Sequence, residues 1–157
     1  MKRSHEETKG RATRQHSMGR TILILVLGGL SLAAPLVAQK KSCSDAEETQ
    51  AEKEVDSLKT WDQVYRSYKK FEQCDDGAVA EGYSDAVGKL LANDWGHFPR
   101  LVEFARTDRN FERFVVRHVD ESLTNDILQK ISKNVRTGCP TDAKALCSLI
   151  ADAASGK

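Results

Sequence analysis

Residues 74–91 read CDDGAVAEGYSDAVGKLL, and the fold is decided by how this stretch is read. Val79, Tyr83, Ala86, Val87, Leu90 and Leu91 recur at three- and four-residue steps, the spacing of a helix with one buried face. Asp75 and Asp76 stand just ahead of it, where unpaired backbone N–H groups and the helix dipole favour negative charge. The other side carries Ala78, Gly82, Gly88 and Ala92. A glycine inside a helix costs about 1 kcal/mol relative to alanine. Two in one helix predict close neighbours, so this helix is expected to be central, contacted on both faces, with Glu81 and Asp85 partly buried.

The flanking sequence is helical in the same way. Upstream, Ser44-Asp-Ala-Glu47 and Thr60-Trp-Asp-Gln63 are capping-box patterns. The first leads into Ala51, Val55 and Leu58, the second into Trp61, Val64, Tyr65, Tyr68 and Phe71, with a turn between them near Asp56–Thr60. Downstream, Asn93–Gly96 is a break. Pro99 suits the first turn of a short helix carrying Leu101, Val102, Phe104 and Ala105. Thr107-Asp108 caps the next, with Phe111, Phe114, Val115 and Val119 inward. Thr124 or Asn125 opens another, with Ile127, Leu128, Ile131 and Val135 inward and Gly138 as its C-cap. Thr141 or Asp142 is expected to open the last helix, and the tail from Ala154 to Lys157 to fray. No stretch alternates as a strand requires. The expected fold is all-α: a compact bundle of six to seven short helices with two disulfides, preceded by a signal peptide.

The signal is read from Thr21 to Ala38, TILILVLGGLSLAAPLVA, which has no charge, follows Arg20 and precedes Lys40 and Lys41. A basic leader, an apolar run and a small final residue make a secretory signal. Cleavage after Ala38 leaves residues 39–157 as the exported domain. The leader is long, and a start at Met18 would give a conventional one. An uncleaved anchor is the rival reading, and eighteen residues is the short end for a membrane span. Either way the rest of the chain lies outside the cytoplasm and touches the membrane only through this segment.

The whole chain of 157 residues carries 24 Lys+Arg against 23 Asp+Glu, too even for a nucleic-acid binder. Residues 39–157 hold 18 basic and 21 acidic side chains, a net charge of −3. They keep all four cysteines, Cys43, Cys74, Cys139 and Cys147, which in a small exported domain read as two disulfides. Three pairings are possible. Cys43–Cys74 would staple the first two helices, leaving a local Cys139–Cys147 bond; Cys74–Cys139 with Cys43–Cys147 is the crossed alternative. Cysteine spacings typical of zinc sites are absent.

The chain has no G-x-S-x-G, H-E-x-x-H, Walker A or G-x-G-x-x-G pattern. No catalytic residue, metal site or cofactor is assigned. Beyond residue 38 there are two histidines, His97 and His118, and His118 falls near a helix end, where a cation is welcome. Glu81 and Asp85 stand four apart and need a cation, a proton or a metal if both are enclosed. Arg109, Arg113 and Arg117 form one helical stripe, extended by Arg106. That stripe suits a solvated face or an acidic partner. Trp95, in the polar turn Asn-Asp-Trp-Gly-His, either folds back as a lid or is presented to a partner. The expected function is that of an exported, non-catalytic protein-binding molecule, such as an inhibitor, immunity protein or accessory subunit. A ligand- or metal-binding protein using the Glu81/Asp85 face is the alternative, and an unrecognised hydrolase the second.

Overall fold

A computed structural model describes residues 42–156. The signal segment, the Met18 start and Lys157 lie outside the described residues. Among those described there are seven α-helices and no strand: α1 (Asp45–Val55), α2 (Trp61–Phe71), α3 (Gly77–Asn93), α4 (Phe98–Thr107), α5 (Arg109–Arg117), α6 (Asn125–Gly138) and α7 (Lys144–Ala154). Short 3-10 turns at Glu72–Cys74 and Trp95–His97 flank α3. The two disulfides are Cys43–Cys74 and Cys139–Cys147.

The first two helix starts follow their sequence signals closely. Ser44 and Glu47 form a complete capping box. Thr60 accepts from the Gln63 N–H, but the Gln63 side chain reaches one residue further back, to the Lys59 N–H at 2.8 Å. Between them the chain turns, so α1 and α2 form a hairpin that the Cys43–Cys74 bond closes.

Helix α3 is the axle of the bundle. Its inward residues Val79, Tyr83, Val87 and Leu91 are almost wholly buried. Its two interior glycines are where its neighbours press in. A Cβ at Gly82 would stand 2.3 Å from a Val55 methyl of α1, and one at Gly88 would stand 2.6 Å from Leu123, just before α6. Both faces are therefore contacted, as the glycines predict. Glu81 and Asp85 are nevertheless exposed, and Asp85 pairs with Lys89 at 2.6 Å. Gly88 shares a flank with the two acids, but the neighbours that press on the glycines do not cover Glu81 or Asp85, which stay in water.

Two expectations near the C-terminus are corrected. Gly138 is the last residue of α6 and not a left-handed cap, because the Trp95 ring lies against it: a Cβ there would meet Trp95 Nε1 at 2.6 Å. The last helix begins at Lys144, with neither Thr141 nor Asp142 as its cap. The Asp142 carboxylate instead pairs with Arg106 at 2.5 Å. At the far end Ala154 is still helical, and a turn follows.

An aromatic chain runs through the core where α2, α4 and α5 meet α3. Tyr65 stacks on Phe104 at 4.3 Å, Tyr68 meets Phe114 at 4.7 Å, and Phe114 meets Tyr83 at 4.9 Å. It ends on the ring of His118, 4.4 Å from Phe114.

Candidate functional site

His118 lies one residue past α5, two turns after Phe111 and one after Phe114, on the inward side of the helix. It is 2% exposed. A buried imidazole needs partners for both nitrogens. Nδ1 lies 2.9 Å from the Ser84 hydroxyl on α3. Nε2 lies 3.1 Å from Asp75 Oδ1 and 3.3 Å from Oδ2.

The position of Asp75 follows from its neighbours. The Asp76 N–H bonds to the Cys74 carbonyl at 2.8 Å around Asp75 at φ −75, ψ 73, an inverse γ-turn. That turn sends Asp76 to cap Gly77, at φ +49, and turns Asp75 inward. The adjacent Cys74 is tied to Cys43, so the disulfide and the γ-turn together fix where the carboxylate goes. Asp75 also accepts from the Arg117 guanidinium, which closes the cluster from solvent. Ser84 Oγ lies a further 3.3 Å from Asp120 Oδ2, and the other Asp120 oxygen accepts the Ser122 N–H at 2.8 Å.

Proton placement follows from donor and acceptor chemistry. A carboxylate only accepts, so Nε2 carries the proton toward Asp75. Ser84 has a single hydroxyl proton: it donates to Asp120 when Nδ1 also carries a proton, and to Nδ1 when the ring is neutral. Burial would push the Asp75 carboxyl up, but the hydrogen bond and charge of His118, with Arg117, hold it below its ordinary value. Asp120 is likewise held low: burial opposes it, and the Ser122 and Ser84 hydrogen bonds prevail. One residue before Ser84, burial pushes the Tyr83 phenol up to about 12, partly offset by its 3.0 Å contact with Ser67.

Ser84, His118 and Asp75 thus stand in the order nucleophile, base, acid. Their setting does not suit attack on a substrate. Ser84 is 3% exposed and the Asp75 side chain 4%. Ser84 lies in mid-helix, where neighbouring N–H groups bond to carbonyls four residues back and cannot stabilise an oxyanion. A cleft of about 280 Å³ opens outside, between Glu81, Arg117 and Ser122, with the buried network as its floor.

The residues singled out in the sequence are scattered over the surface. Trp95 folds back: its ring stacks on Phe98 at 4.1 Å and its Nε1 donates to the Gly138 carbonyl at 3.0 Å, pinning the α3–α4 turn to the end of α6. His97 is exposed, with Nδ1 2.6 Å from Asp94. Glu81 and Asp85 flank a cleft of about 350 Å³ with Leu123 and Ile127. Among the described residues no group of three metal-ligating side chains comes together. Arg109 pairs with Glu112 at 2.6 Å, Arg113 donates to the Asn110 side chain, and Arg117 is held by Asp75. Much of the arginine stripe is therefore engaged within the molecule.

A different cationic surface stands on α6. Lys130, Lys133 and Arg136 line a cleft of about 550 Å³ with Gln129, Ser132 and Asn125. Lys130 pairs with Asp126 at 2.8 Å, while Lys133 and Arg136 pair with no carboxylate among the described residues.

The chain matches no protein-family model, no curated protein and no solved structure.

The sequence reading missed the Asp75–His118–Ser84–Asp120 network. Its signal was present in part: Ser84 interrupts the apolar stripe beside Tyr83, and His118 continues the Phe111, Phe114, Val115 face. It also missed the α6 cleft, since lysines on a helix are ordinary until one knows which have no counter-charge.

Proposed function

We propose that this chain is an exported recognition protein without chemistry of its own, acting on another envelope or secreted protein as an inhibitor, immunity protein or accessory subunit. One observation carries the reading. The only nucleophile–base–acid alignment found among the described residues is enclosed, and each member is hydrogen-bonded to the next, so it braces α3 against α5. Two disulfides add rigidity and fit an oxidising compartment. A rigid, pre-organised surface loses little entropy on binding.

The test is a comparison of wild type with Ser84→Ala. A fluorophosphonate probe is expected to leave Ser84 unlabelled. Both proteins are expected to capture the same partner from envelope extract, in the presence of a chelator. Labelling at Ser84, or an esterase activity lost in Ser84→Ala, would replace this reading with the hydrolase.

A further inference from the structure

We infer that the α6 cleft docks an acidic segment of a protein partner. The inference rests on the recognition reading above and names the surface and the chemistry. Its ground is where the unanswered cations sit: Lys53, Lys59, Arg66, Arg113 and Lys144 also meet no carboxylate among the described residues, but Lys133 and Arg136 are two such cations in one cleft. Arg100, Arg106, Arg109 and Arg117 each have a carboxylate within the molecule. Lys133 and Arg136 have none among the described residues, they are exposed, and they share one cleft with Lys130.

The spacing suits an extended chain. Residues three apart on a helix are about 4.5 Å apart along its axis and about 60° around it, so the three cations follow an oblique ridge that rises about 9 Å. In an extended peptide, side chains two apart are about 6.6 Å apart on the same face. Two carboxylates of such a segment reach Lys133 and Arg136, while Lys130 stays with Asp126, which lines the same cleft. Gln129 and Ser132 add neutral donors and acceptors for the peptide backbone. An anionic membrane or wall polymer fits less well, because residues 39–157 carry a net charge of −3 and are repelled by an extended negative surface. A short acidic segment meets only the local field.

The test uses the disulfide-bonded protein and an N-acetylated hexaglutamate peptide, titrated by amide NMR at about 20 mM salt to limit screening. Shifts are expected along Gln129–Arg136. The variant Lys133→Glu/Arg136→Glu is expected to weaken binding at least about tenfold, and Lys133→Gln/Arg136→Gln about fivefold, with unchanged far-UV spectra. Arg109→Glu/Arg113→Glu is expected to stay within about twofold of wild type. Equal binding by the α6 variants, or shifts centred on α5, overturns the site. Tighter binding to phosphatidylglycerol vesicles than to the peptide overturns the acidic segment as occupant. So does concentration-dependent self-association abolished by the α6 variants, which would give the cleft to the acidic α1 of a second copy. If the envelope partner is still captured by the α6 variants, the site fails while the recognition reading stands.

Discussion

At the α3–α5 junction, Arg117, Asp75, His118, Ser84 and Asp120 form one chain of polar contacts whose middle members, Asp75, His118 and Ser84, have side chains almost closed to water. On α6, Lys133 and Arg136 face open solvent across a polar cleft and meet no carboxylate among the described residues. Both regions are rich in charge, but their energetics are opposite. Inside, the Asp75 carboxylate has lost its water and depends on His118 and on Arg117, whose own guanidinium stays largely in solvent. Outside, each charge keeps its hydration, and the fold does not depend on it. Charge in the first region holds the structure together, whereas charge in the second is available to a ligand.

The hardest way to break this contrast is at its buried end. His118→Ala leaves Asp75 enclosed with only Arg117 and opens a void beside Phe114. We expect a loss of about 4 kcal/mol in denaturant unfolding, from the cavity left by the ring and the lost hydrogen bonds to Asp75 and Ser84. A loss below about 1 kcal/mol would place the network among ordinary surface contacts.

Next comes the staple that positions Asp75. Replacing Cys43 and Cys74 by serine releases a loop of 31 residues in sequence separation. Chain entropy alone sets that loss at about 3.5 kcal/mol. The Cys139–Cys147 bond has a separation of 8 and touches no buried charge, so its removal should cost about 2.5 kcal/mol. Equal melting shifts for the two double variants would show that the Asp75 turn holds itself.

A smaller effect sharpens the contrast through pH. The folded Asp75 carboxyl lies below its ordinary value of 3.8. Its contribution to stability is therefore fully present above that value and is lost as pH falls through the lower, folded one. Acid titration of stability in wild type and Asp75→Asn should show this directly. The variant starts less stable near neutrality, and the gap closes in strong acid. A gap that is constant with pH would mean that the charge of Asp75 is immaterial.

The smallest expected effect is at the open end. Lys133→Gln/Arg136→Gln should change unfolding free energy by no more than about 0.5 kcal/mol, as exposed, unpaired side chains do. A larger loss would mean that the α6 cations serve the fold after all, and the contrast would dissolve.

The helices were legible because apolar spacing and end signals are local. Ser44 and Thr60 cap as their sequence says, and Asp108 accepts from the N–H groups of Asn110 and Phe111. Gly82 and Gly88 marked a crowded helix before any neighbour was known. Gly138 and Asp142 were misread because each was claimed by a distant residue, Trp95 and Arg106, which local rules cannot see.

By itself the sequence determined an all-α bundle, the central place of residues 77–93 and a cysteine set suited to two bridges. Period, caps and composition act over a few residues and are written in order along the chain. Only the tertiary structure decided which cysteines pair, that His118 is enclosed with Asp75 and Ser84, and which cations meet a carboxylate. The Cys43–Cys74 bond and the enclosure of His118 depend on side chains more than thirty residues apart meeting, the latter within about 3 Å, the range over which a hydrogen bond or a close ion pair forms.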